Sequence, residues 1–285
     1  MVRSAQPGGL RAAKSRKREP KARCVAEERG RKPERAEERK PTAGACRQAR
    51  EAGVLSGEKL AALEREIVCC RLCPRLVEWR ERVAREKRSS FRDEDYWGRP
   101  VPGFGDPGAG VVVFGLAPAA HGANRTGRYF TGDRSGDFLF AALHRVGFAS
   151  SPVSRRPDDG MRLQGLWISA AVRCAPPQNK PTPSERDACL PYAARELELL
   201  DAKVVVCLGA FAWDAALRLL RVRPKPKFAH GAEHEVGPLF LLGCYHPSQQ
   251  NTFTGVLTPE MLDDVLSRAL ELSTIGPKEC GGPVS

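Results

Sequence analysis

Val111-Val112-Val113-Phe114-Gly115-Leu116 is apolar or small at every position, with no polar residue to break it. A run this short, rich in β-branched residues and bounded by Gly110 and Pro118, reads as a strand buried on both faces. Three more runs of the same kind follow, at residues 166–172, 204–208 and 239–245. Helical patterns separate them. Phe138, Leu139, Ala142, Leu143 and Val146 share one face between the first two runs. Thr182-Pro183-Ser184-Glu185 is a capping box with proline at the first helical position, opening a helix to about Leu200. Ala210 to Leu220 fits a third helix, and Thr258-Pro259 opens a fourth through Leu262, Leu266 and Leu270. Upstream, Leu60, Leu63 and Ile67 recur at helical spacing, so a helix from about residue 57 runs toward Cys70. Strands alternating with helices define an α/β fold. We expect a single domain with a central, mostly parallel four-stranded sheet flanked by helices.

In such sheets ligands bind beyond the carboxyl ends of the strands. The unusual residues of this chain fall there. The first run is followed by a polar, glycine-rich loop over residues 115–133, the second by Arg173-Cys174-Ala175-Pro176-Pro177-Gln178-Asn179-Lys180, and the fourth by His246-Pro247-Ser248-Gln249-Gln250-Asn251. Three loops are thus expected to meet at one edge.

Outside this core the composition changes. The first fifty residues carry sixteen basic and six acidic side chains; the other 235 carry thirty and twenty-eight. Nearly all of the net +12 therefore belongs to a segment with no aromatic residue, which is expected to be disordered. The boundaries read as a disordered basic tail over 1–55, a folded domain over 56–273 and a loose C-terminal tail over 274–285. No run approaches the roughly 18 apolar residues of a transmembrane helix, and no apolar stretch of signal-peptide length follows the first basic residues. The expected location is the cytoplasm, where thiols stay reduced.

Ten cysteines in that setting suggest metal ligands, reactive thiols or core residues. Cys70 and Cys73 form a C-x₂-C pair, and Cys174 and Cys189 a second pair across a strand–loop–helix unit. Four thiolates suit tetrahedral zinc or an iron–sulfur cluster. Cys69 is an alternative to Cys70; Cys207 and Cys244, inside apolar runs, read as core.

At this point the residues carry a resemblance. Gly115-Leu116-Ala117-Pro118, His121-Gly122, Asn124-Arg125-Thr126-Gly127-Arg128 and Phe130-Thr131-Gly132-Asp133 resemble the first motif of the family 5 (type b) uracil-DNA glycosylases. His246-Pro247-Ser248-Gln249-Gln250-Asn251 resembles their second. Cys70, Cys73, Cys174 and Cys189 fall where that family holds a [4Fe–4S] cluster. The resemblance covers about residues 65 to 272. It implies a base-excision repair enzyme that hydrolyses the N-glycosidic bond of uracil, and of other deaminated or damaged bases, in double- or single-stranded DNA. A monomer with no membrane association is expected, concentrated on the nucleoid by DNA binding. The related family 4 carries a carboxylate where Leu116 stands and an Asn where Ala171 stands; both positions are apolar here, which argues against strict uracil selectivity.

The chemistry assigns roles. The target base must leave the stack, and Phe130 is the expected apolar surface against it. Gly115, Leu116 and Ala117 are expected to line the base pocket. Cleavage develops negative charge on the base and positive charge on the sugar, and catalysis follows from recognising those charges. A neutral His246 is expected to donate to the pyrimidine oxygen, aided by backbone N–H groups of residues 115–119. Asp133 is expected to position water and favour the cationic sugar, with helix capping as its other reading. Asn179 is expected to assist at the water or base, or to serve as a turn residue. Ser248 and Asn251, with Asn124, Arg125 and Arg128, are expected at DNA phosphates. The competing reading is a non-catalytic zinc- or iron–sulfur-bearing DNA-binding module, which leaves the three converging loops unexplained.

Overall fold

The structure, a computed structural model, describes residues 43–274. The greater part of the basic N-terminal segment, Cys24, Cys280 and nearly all of the C-terminal tail lie outside the described residues. Strands β1 (Phe104–Gly105), β2 (Val111–Gly115), β3 (Leu166–Ala170), β4 (Val204–Leu208), β5 (Glu233–Val236) and β6 (Leu239–Cys244) form one sheet in the order β1-β3-β2-β4-β6-β5. The four apolar runs are its inner strands, all parallel. The four-stranded expectation is extended by two antiparallel edges. These edges lack the apolar signature. β1 is two residues inside a Gly/Pro-rich stretch, and β5 carries Glu233, His234 and Glu235 on an exposed, charged edge that discourages further pairing.

Eight helices complete the described residues: α1 (Ala43–Val68), α2 (Pro74–Glu86), α3 (Ala123–Thr126), α4 (Arg134–Val146), α5 (Pro183–Leu200), α6 (Ala210–Leu219), α7 (Gln249–Phe253) and α8 (Pro259–Thr274). The first helix starts at Ala43 rather than near 57, so residues 43–55, expected within the disordered tail, are helical. The inner strands are uncharged along their length because successive side chains enter two different cores. Val111, Val113, Ile168 and Val206 pack toward α4 and α8. Val112, Phe114, Trp167 and Val205 pack against Leu60 of α1 and the apolar faces of α5 and α6. No helix among the described residues is long and apolar enough to cross a membrane.

Local signals set the helix ends. Thr182 and Glu185 form the reciprocal capping box, with Pro183 in the first turn, as the sequence indicates. α4 begins on Asp133, whose Oδ1 accepts from the Gly136 N–H at 2.9 Å, and ends on Gly147 in the left-handed conformation. Each inner strand therefore delivers its carboxyl end to the same edge of the sheet.

Candidate active site

A cavity of about 450 Å³ lies at that edge. Its size falls within the roughly 300–1,000 Å³ of pockets that hold small organic ligands. Gly115 and Ala170, the last residues of β2 and β3, line it together with His246, two residues beyond β6. Leu116, Ala117, Phe130, Asp133, Asn179 and Ser248 complete the set of expected residues that the fold brings together.

Phe130 has φ +52°, a left-handed conformation costly for a bulky residue. The strain is held by close packing. A Cβ on Gly136 would stand 1.9 Å from the Phe130 carbonyl oxygen, so only glycine lets the loop lie this tightly on the start of α4. The Phe130 ring faces the His246 ring at 6.2 Å between centroids. Burial lowers the His246 pKa to about 4, so the imidazole is neutral at physiological pH. Its backbone is fixed from behind: Asn251 Nδ2 donates to the His246 carbonyl at 2.9 Å, and the Asn251 N–H donates to Ser248 Oγ at the start of α7.

Asp133 stands where both readings that the sequence left open would place it. Its Oδ1 caps α4, while its carboxylate also lines the cavity. A Cβ on Gly122 would lie 2.0 Å from Oδ2, so the His121-Gly122 step of the loop admits the carboxylate by having no side chain there. Burial raises the Asp133 pKa above the usual carboxylate value, and the Gly136 N–H partly opposes it.

Asn179 sits at φ +57° directly after Gln178 at φ +55°, two consecutive left-handed residues that turn the loop into the cavity. Arg75 of α2 anchors the far end of this loop. Its guanidinium grips Glu185 at 2.8 and 2.6 Å and donates to the Lys180 carbonyl at 3.2 Å, while Glu185 also accepts from the Thr182 N–H.

The phosphate-contact expectation is not met by the placement of the first-loop residues. Asn124 is fully buried and its Nδ2 donates to the Arg80 carbonyl. Arg125 is buried, donates to the His121 and Gly132 carbonyls and pairs with Glu94. Arg128 is buried between Ser154 and Asp159. These side chains hold the loop together instead of projecting from it. Asn251 likewise faces its own loop. Of the two Ala positions at the end of β3, Ala170 lines the cavity; Ala171 belongs to the α5/α6 core, where its N–H donates to the Gly115 carbonyl. Sequence reasoning passed over Tyr129, Arg134 and Ser135 of the lining. The one signal for Arg134 and Ser135 is adjacency to Asp133.

The cysteines meet elsewhere, on the α2 side of the sheet. Cys70, Cys73, Cys174 and Cys189 all line one small cavity, walled by Leu76 and Val172. Cys69 is exposed and outside it, which selects Cys70. Arg80 Nη1 donates to Cys174 Sγ at 2.9 Å, and the Arg173 N–H donates to Cys189 Sγ at 3.3 Å. Burial pushes the Cys174 thiol up to about 11 and the Cys189 thiol up to about 12. Cys207 and Cys244 are buried in the two cores.

A mostly parallel sheet wrapped by helices, with a cavity and a neutral imidazole at its carboxyl edge, defines a class. The chain belongs to the uracil DNA glycosylase superfamily, whose profile matches residues 102–269. Within that superfamily its similarity is to type-5 members. The type-5 uracil-DNA glycosylase of Mycobacterium tuberculosis (strain CDC 1551 / Oshkosh) is 57% identical over 214 residues, 73% of this chain and 80% of that protein. That of Thermus thermophilus is 53% identical over 215 residues, 74% of this chain and 97% of that protein. A type-4 uracil-DNA glycosylase of Archaeoglobus fulgidus is 30% identical over 156 residues, 54% of this chain and 62% of that protein.

Proposed function

We propose that the protein hydrolyses the N-glycosidic bond of uracil in DNA, leaving an abasic site for base-excision repair. The observation that carries this reading is the convergence of His246, Asp133, Asn179 and Phe130 on one base-sized cavity at the sheet edge. An extruded base enters with its ring against Phe130. Neutral His246 donates to the pyrimidine oxygen as anionic charge grows there, with backbone N–H groups of residues 115–119 as further donors. Asp133 favours the cationic sugar and, with Asn179, orients the attacking water. Leu116 and Ala170 offer the base no polar discrimination, which supports a wider range that includes hypoxanthine and hydroxymethyluracil. The direct test is single-turnover incubation of duplex DNA bearing one uracil, followed by alkali. Strand breaks at the uracil position are expected, and intact strands at stoichiometric enzyme would overturn the reading.

The residues of the cysteine cavity fit a [4Fe–4S] cluster held by Cys70, Cys73, Cys174 and Cys189. Here four cysteines line one cavity, which supplies the four thiolate donors that a [4Fe–4S] cluster takes. Glycosidic hydrolysis transfers no electrons, so its service is to tie α2 to the Asn179 loop. Aerobically purified protein is expected to be brown, with about four irons per chain; a colourless preparation with one zinc would refute the cluster.

The folded unit corresponds to residues 56–273, with α1 extending ahead of it to Ala43. The basic segment before it suits non-specific attraction to DNA. A cytoplasmic monomer on the nucleoid, acting on double- or single-stranded DNA, completes the reading.

A further inference from the structure

Among the described residues, four arginines are almost wholly buried: Arg80, Arg125, Arg128 and Arg173. Three of them hold a carboxylate at hydrogen-bond distance. Arg173 grips Glu196, Arg128 grips Asp159, and Arg125 pairs with Glu94. Arg80 is different. It is 2% exposed, its Nη1 donates to Cys174 Sγ at 2.9 Å and its Nη2 to the Cys70 carbonyl at 3.2 Å. Its Nε, like that of Arg173, meets no acceptor among the described residues. The carboxylate nearest to it, Glu81, stands 4.0 Å away and is itself bonded to Arg71 at 2.5 Å. A buried cation is tolerated when an opposite charge accompanies it, and the group that Arg80 touches is a sulfur of the cysteine cavity.

We propose that Arg80 is the counter-cation of the four-cysteine centre, fixing Cys174 as a ligand and setting the reduction potential of the cluster bound there. This rests on the iron–sulfur reading above. A cluster carried by four thiolates is a net anion, and its potential follows the local charge and the hydrogen bonds to its sulfurs. Arg80 supplies both from one rigid fork. It also joins the centre to the substrate side, because its carbonyl accepts from Asn124 Nδ2 at 3.2 Å, inside the first-motif loop. The α2 helix thus presents the guanidinium to the cysteines and the backbone to the glycosylase loop.

The test uses the full-length protein with Arg80→Met and Arg80→Lys. Iron and sulfide in the wild type are measured first, then bleaching of the visible absorbance by a chelator, then an anaerobic redox titration. Arg80→Met is expected to bleach about tenfold faster or more, the usual scale for losing a partner behind a metal ligand. Its potential is expected to move to more negative values. Arg80→Lys keeps the charge and loses the fork, so its potential should move less than that of Arg80→Met. Wild-type bleaching and wild-type potential in Arg80→Met would overturn the proposal while leaving the cluster in place. Equal bleaching losses in both variants with an unmoved potential would reduce Arg80 to packing. If Arg80→Met does not fold, Arg80→Gln and Arg80→Lys are read on the same measurements. A wild type without iron would refute the cluster itself, a result separable from failure of the Arg80 assignment.

Discussion

His246→Ala is expected to slow single-turnover excision by about 10²–10³-fold, the scale of removing one preorganised donor to a developing anion, with little change in affinity for uracil-free duplex. The side chain lines the cavity. It stands beside Phe130 at 6.2 Å between ring centroids, its backbone is clamped by Asn251, and its ring is neutral. A neutral donor gains most from the transition state, where charge appears on the base oxygen, and little from the ground state, where the oxygen is a carbonyl. An unchanged single-turnover rate would remove His246 from the chemistry. The pH dependence follows from the same burial. The ring takes up a proton near pH 4 in the folded protein against 6.5 for a free histidine. The folded state therefore binds fewer protons between those values. Its contribution to stability is complete above about pH 6.5 and is lost as pH falls toward 4. An NMR titration of the His246 ring should show no inflection between pH 5.5 and 8, and a midpoint near 6.5 would contradict the buried placement.

Asp133→Asn is expected to reduce the rate by about 10²-fold or more, within the range of positioned acid–base and charge groups, with unchanged melting temperature. The two roles of Asp133 separate cleanly by substitution. Asparagine caps helices as well as aspartate does, so Asp133→Asn keeps the bond from the Gly136 N–H and removes only the charge facing the cavity. Asp133→Ala removes both and should lose about 1 kcal/mol of stability as well. A wild-type rate in Asp133→Asn, with destabilisation confined to Asp133→Ala, would leave the residue as a cap alone.

How much of this was legible in the sequence varies with what each residue is packed against. Residues 111–115 and the three matching runs declare themselves because both faces are buried, so nearly every position is apolar or small; Ser169 is tolerated because it bonds to Glu196. β5 hides because an edge strand gains from charge, and a Glu-His-Glu run carries no strand signature. The start of α1 is missed for a related reason: its N-terminal part is alanine- and arginine-rich, with no apolar stripe to mark it. In the site, residue types were readable and directions were not. Asn124, Arg125 and Arg128 have the chemistry of phosphate ligands, yet in the fold they turn inward onto carbonyls and carboxylates. Arg75 and Arg80 carry no motif at all. They matter because distant parts of the chain, Glu185 and Cys174, arrive beside them.

Leu116 and Ala170 stand at or directly beyond the ends of β2 and β3, whereas His246, Asp133 and Asn179 hang on loops cinched from behind by Asn251, Arg125 and Arg75. Part of the cavity wall is thus carried by the sheet itself, while its polar side chains are carried by loops. A substitution at Leu116 or Ala170 would therefore alter the cavity floor without touching the bonds that hold those loops.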